Sequence, residues 1–218
     1  MSLNDLEFRL RPARGDPSGA FVLLHGRGAD EHDLYPLFDI LDPDRRLMGL
    51  TPRGPLTLPP GGAHWYVVRR VGYPDPYTFW PTYKKLCSWL DSLEAETGLP
   101  LHRTIVSGFS QGAVMSYAAG LGRGRPRPAA LMCFSGFVPQ VDGLEFDLDG
   151  RADLPVAVGH GIHDPVIDVD FGRRARALLE GAGIEVLYRE SDMMHSLDPE
   201  FLAELRPWVG GIVEGFGG

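Results

Sequence analysis

Seven short apolar runs alternate along the chain with longer segments of helical period, and this alternation most constrains the fold. The runs lie at 6–10, 20–25, 46–50, 103–107, 130–135, 155–160 and 184–190, and most are too continuously apolar to have a wet face. Between them, helical periodicity predicts helices over Glu31–Leu41, Thr78–Thr97, Gln111–Leu121, Asp168–Ala182 and Asp198–Glu214. Strands buried on both faces and separated by helices imply a mostly parallel sheet of about seven strands with helices on both sides. The first run, Leu-Glu-Phe-Arg-Leu, alternates instead, which suits an antiparallel edge strand. We read residues 1–218 as a single α/β domain, a length that supports a sizeable core.

Composition narrows the classes of partner. A net charge of −8 argues against nucleic acid or an anionic membrane surface, since both call for a basic face. The basic run at 122–128 reads as a solvated loop against that acidic total. No apolar run reaches the roughly 18 residues of a membrane span, and the N-terminus lacks the apolar centre of a signal peptide. Cys87 and Cys133 sit inside a helical and a strand-like apolar pattern and read as buried, reduced thiols. A cytoplasmic location is the expectation that follows.

The chemistry centres on Gly108-Phe109-Ser110-Gln111-Gly112, at the junction of a strand and a helix. The pattern Gly-x-Ser-x-Gly is weak alone, arising by chance in roughly 0.16 copies per chain of this composition. Its context gives it meaning. In a sharp strand-to-helix turn the serine takes a strained conformation with its hydroxyl standing above the sheet edge, and the residues two before and two after have no room for side chains.

A serine hydroxyl needs a base, and the base needs a carboxylate to orient it. Such partners follow downstream in the order acid, then histidine. Of His160, His163 and His195, the last lies in the loop between the final strand and the final helix. Asp164 follows the preceding strand and is held by Pro165. Asp168, Asp170 and Asp192 compete for the acid's role, but Asp168 reads as a helix N-cap and Asp192 belongs to the histidine's own loop. The spacing of His160 and His163 lacks the further ligands of a metal site, so no metal and no cofactor are expected; the pair reads as support for the acid loop. Two backbone N–H groups are needed for the developing oxyanion. One is that of Gln111, at the positive end of its helix, and the other that of Arg27, between Gly26 and Gly28. His25 reads as structural.

Four segments carry a resemblance. Residues 23–34 (LLHGRGADEHDL), 108–117 (GFSQGAVMSY), 159–167 (GHGIHDPVI) and 193–197 (MMHSL) resemble, in this order, the oxyanion, nucleophile, acid and histidine segments of the phospholipase/carboxylesterase family of α/β-hydrolases, the group that includes acyl-protein thioesterases. Residues 51–66 match the family's proline-rich stretch ending in a tryptophan. The resemblance implies an α/β-hydrolase fold, a Ser110–His195–Asp164 triad, and Arg27 and Gln111 as backbone donors. It implies a serine esterase forming an acyl-enzyme, with small or medium acyl esters as substrates. An acyl-protein thioesterase or lysophospholipase is the alternative within the family, and an acyltransferase or peptidase would use the same triad. A non-catalytic binding protein on the same fold is the alternative from another class.

The expected partner is a small-molecule ester or thioester, with a homodimer admitted and no nucleic acid. The segment 52–80 departs from the thioesterase pattern after Trp65 and is dense in aromatics. Trp65 and Tyr73 fall in irregular backbone, and we expect them to line the substrate pocket, whereas Phe79 belongs to the core.

Overall fold

The computed structural model describes residues 2–217. Its strands and helices run β1 (Phe8–Arg11), β2 (Gly19–Leu24), α1 (Leu37–Leu41), β3 (Leu47–Pro52), β4 (Leu56–Leu58), β5 (Gly62–His64), β6 (Val68–Arg70), β7 (Tyr73–Pro74), α2 (Pro76–Thr97), β8 (Thr104–Phe109), α3 (Gln111–Leu121), β9 (Ala130–Phe134), β10 (Val156–Gly161), α4 (Val169–Gly181), β11 (Val186–Ser191) and α5 (Pro199–Glu214). Seven strands form the central sheet in the order β1-β3-β2-β8-β9-β10-β11. All pairs are parallel except β1 with β3, so the alternating first run is the antiparallel edge.

Side chains leave this sheet on both faces, and each face is covered. Ala20, Val22 and Leu24 of β2 pack with Val106, Leu131 and Cys133 beneath α2 and α3. The intervening Phe21 and Leu23 point the other way, into a core closed by Phe38 of α1 and by Phe201, Leu205 and Val209 of α5. That is why β2 reads as an unbroken apolar run. Both thiols are buried and unpaired; burial pushes Cys87 up to about 11, so neither is poised to react.

One expectation changes. The helix over Glu31–Leu41 shrinks to Leu37–Leu41, with Pro36 at its N-cap. Upstream, the Asp30 carboxylate accepts from His32 N–H and Thr51 Oγ1 donates to the Glu31 carbonyl. Those local bonds replace a helical ladder that Pro36 could not have continued. The segment after β3 carries strands of its own. It folds into two small antiparallel ribbons, β4–β5 and β6–β7, apart from the main sheet.

The basic run 122–128 is neutralised by neighbouring acids. Arg123 pairs with Glu145, Arg125 with Asp91 and Arg127 with Asp153.

Candidate active site

Ser110 stands at the end of β8, near the middle of the sheet, where the chain turns directly into α3. Its φ of 55° and ψ of −118° are strained for a residue with a Cβ. The flanking glycines explain how the turn closes. A Cβ on Gly108 would lie 2.3 Å from the Gly112 carbonyl carbon, and one on Gly112 would lie 1.8 Å from the Leu24 carbonyl oxygen. No side chain fits at either position.

The loop after β2 comes up beside the serine. A Cβ added to Gly26 would sit 3.4 Å from the Ser110 Cβ, so the backbone at Gly26 packs against the serine. This loop is clamped by the segment that follows β3. Gly28 N–H donates to Ala63 O at 2.8 Å, and Ala63 N–H donates to Ala29 O at 2.7 Å. Buried His25 completes the clamp, its Nε2 accepting from Gly54 N–H at 2.9 Å while Nδ1 donates to Gly26 O at 2.7 Å. A backbone N–H cannot reverse its role, so this histidine is fixed in its neutral Nδ1–H form. Burial holds its pKa below the ordinary value of 6.5.

Gln111 is held by its side chain. Its amide oxygen accepts from Trp65 N–H at 3.0 Å, and its amide nitrogen donates to Tyr66 O at 2.8 Å. Its backbone N–H heads α3, where the first amides have no helical acceptor. The loop of Gly26 and the start of α3 at Gln111 thus both adjoin Ser110.

Asp164 and His195 come from loops after β10 and β11. The Asp164 carboxylate is fully buried; Oδ1 accepts from Val166 N–H at 2.8 Å and Ile167 N–H at 2.9 Å. Oδ2 lies 2.6 Å from His195 Nδ1, and the imidazole rests on the ring of Phe109, with centroids 4.7 Å apart. The histidine of the last loop is thereby next to the residue that precedes Ser110. The two loops are stitched together: Ile162 N–H donates to Ser191 O and His163 N–H to Met193 O. Gly161 lets them approach, since a Cβ there would lie 2.2 Å from the Met194 carbonyl oxygen. A glycine at the strand end just before the acid loop is the one sequence signal of this close approach.

The competing residues have other tasks. Asp168 caps α4 by accepting from Asp170 N–H, Asp170 pairs with Arg173, and exposed Asp192 bonds His163. His160 lies under the acid loop, fully buried, its Nε2 donating to Ile167 O at 2.8 Å and standing 3.5 Å from Asp164 Oδ2. Burial pushes its pKa down. In the loop before α1, Asp30, Glu31 and His32 converge, but Arg53 reaches both carboxylates and Arg9 reaches the His32 ring.

Trp65 is a correction. Its indole is wholly buried, with Nε1 donating to His25 O at 2.9 Å and the ring tilted against that of His25. It has no surface for a ligand; it braces the loop of Gly26 and Arg27. Irregular backbone misled the expectation, because the tryptophan turns inward, bonds the His25 carbonyl and joins the core. Tyr73 is 42% exposed and lines a cleft of about 640 Å³ with Phe137 and Phe171. Phe79 is core.

A profile of the phospholipase/carboxylesterase family matches residues 8–210. The chain belongs to this family. Among the family's members and their structural neighbours, the acyl-protein thioesterase 1 of Candida albicans is 29% identical, over 93% of this chain and 96% of its own. The esterase PE8 superposes with a TM-score of 0.79 at 27% identity, covering 95% of this chain and 99% of its own. The Bacillus cereus carboxylesterase, at 21% identity, shares the fold with a TM-score of 0.82, covering 95% of this chain and 94% of its own. This phospholipase/carboxylesterase family member is an α/β-hydrolase of the carboxylesterase and thioesterase type. Among its described residues, no helix is long and apolar enough to cross a membrane.

Proposed function

We propose that the protein hydrolyses carboxylic esters, or thioesters, through an acyl-enzyme on Ser110. The observation that carries this reading is the 2.6 Å contact between His195 Nδ1 and buried Asp164, beside a serine in a strained strand-to-helix turn. With Nδ1–H donated to the carboxylate, Nε2 is the nitrogen that takes the serine proton as Oγ attacks the acyl carbon. The tetrahedral oxyanion is received by the N–H groups of Arg27 and Gln111, each such donor contributing about 3 kcal/mol to the barrier reduction. As the intermediate collapses, the imidazolium gives its proton to the departing alcohol or thiol. Water then repeats the sequence on the acyl-enzyme and releases the acid. Tyr73 belongs to the substrate cleft in this reading, and Trp65 does not.

Fluorophosphonate labelling tests it directly, because only an activated serine attacks that phosphorus. An adduct on the peptide containing Ser110, absent in Ser110→Ala, is the expected result. No adduct, or one on another serine, refutes the reading.

A further inference from the structure

The cleft lined by Tyr73, Phe137 and Phe171 is inverted in charge relative to the rest of the molecule. The chain has a net charge of −8, yet no aspartate or glutamate lines this cavity of about 640 Å³, and two arginines do, Arg70 and Arg174. Their neighbours in sequence are engaged elsewhere: Arg69 pairs with Asp75, Arg173 with Asp170 and Glu190, and Arg176 with Glu180. Arg70 and Arg174 lack such a carboxylate partner among the described residues. Each instead lies over an aromatic ring of the cleft, Arg70 at 4.3 Å from the Tyr73 centroid and Arg174 at 4.2 Å from that of Phe171. A guanidinium seated on a ring face is fixed in orientation, and its in-plane N–H donors stay free for an acceptor.

Between these cations the walls are apolar, formed by Val71, Phe137, Val138, Phe146 and Phe171. The rings of Phe137 and Phe171 meet at 5.4 Å. The walls are also joined along the chain to the segments that carry Ser110 and Asp164. Phe137 follows Gly136, where a Cβ would lie 3.3 Å from the Ser110 carbonyl oxygen. Phe171 and Arg174 open the helix that the Asp164 loop leads into. The β6–β7 ribbon closes the far side, tied down by Gln140 N–H donating to Gly72 O at 3.1 Å.

We propose that this cleft receives the non-reacting arm of the ester, and that the arm is amphiphilic. Its apolar length lies along Phe137 and Phe171, and it ends in an anionic group, carboxylate or phosphate, held by Arg70 and Arg174. The proposal rests on the esterase reading above.

The test compares 4-nitrophenyl half-esters of adipic, suberic and sebacic acids with the same compounds capped as terminal methyl esters. The free-acid form should be preferred by about tenfold in kcat/KM at the best-fitting length, the scale of a charge-assisted hydrogen bond. The preference should shrink with added salt. It should collapse towards unity in Arg70→Gln/Arg174→Gln and persist in part in Arg70→Lys/Arg174→Lys. Octanoate and octyl phosphate, as inhibitors of 4-nitrophenyl butyrate hydrolysis, identify the anion: the stronger of the two marks the terminus, and its advantage over octanol should vanish in the glutamine variant. If wild type turns over the butyrate but shows no charge preference at any length, or if the glutamine variant keeps the preference, the cleft proposal falls alone. If no ester is hydrolysed and Ser110 resists the fluorophosphonate, the esterase reading falls and takes this one with it.

Discussion

His195 Nδ1 and Asp164 Oδ2 lie 2.6 Å apart, with the carboxylate buried and its other oxygen saturated by two backbone amides. The imidazole can therefore turn only its Nε2 edge towards a substrate. Asp164→Asn would keep the shape but favour the wrong tautomer. We expect kcat to fall by about 10⁴ in Asp164→Asn, in His195→Ala and in Ser110→Ala, with double variants little worse than single ones. Steady-state ester hydrolysis on variants with unchanged circular dichroism checks this, and additive losses would show that the three do not act as a unit.

Gly112 meets Leu24 closely enough to serve as a second test. A Cβ there would fall 1.8 Å from a carbonyl oxygen of the rigid central sheet, so Gly112→Ala must displace the turn that carries Ser110. We expect a loss of about 3 kcal/mol or more in stability, at or beyond the upper end for overpacked cores, together with most of the activity. Gly211→Ala is the matched control. It lies inside α5 with open space around it, and helix propensity predicts a gain of up to about 1 kcal/mol. Urea unfolding of both variants measures the contrast.

Acidification should destabilise the fold before its carboxylates titrate. His25 and His160 are buried and neutral, with pKa values lowered from 6.5 chiefly by desolvation. Well above pH 6.5 both are neutral in the folded and unfolded chain, and neither contributes a pH-dependent term. Below it the unfolded chain takes up protons that the folded protein refuses, so stability falls, by at most about 1.4 kcal/mol per pH unit for each histidine. Urea midpoints should drop between pH 6.5 and 5 and drop less in His160→Asn. A flat wild-type profile over that interval would contradict the burial argument.

The edge of the sheet is held by a buried ion pair. Arg11 donates to the Asp42 carboxylate at 3.0 Å and to its carbonyl at 2.6 Å, and both side chains are 2% exposed. Asp42 also accepts from Arg46 N–H and Leu47 N–H, at the start of β3. Arg11→Ala strands that carboxylate away from water, and we expect a loss of about 3–5 kcal/mol. Thermal unfolding with no change in midpoint would show that the site rehydrates freely.

The sequence by itself determined the seven strands, four of the five helices, the antiparallel edge and the segments that supply Ser110, Asp164 and His195. These were legible because each is a local signal: unbroken apolar runs for buried strands, a 3.6-residue period for helices, and a serine between glycines at a strand–helix junction. What the segment 52–80 does was decided only by tertiary structure. In sequence Trp65 and Tyr73 look alike, two aromatics in irregular backbone, yet one is buried against His25 and the other opens onto a cleft. Exposure at such positions depends on contacts with residues 40 or more positions away, and no local pattern carries them. The same holds for Gly161, whose missing side chain matters because the last loop passes over it.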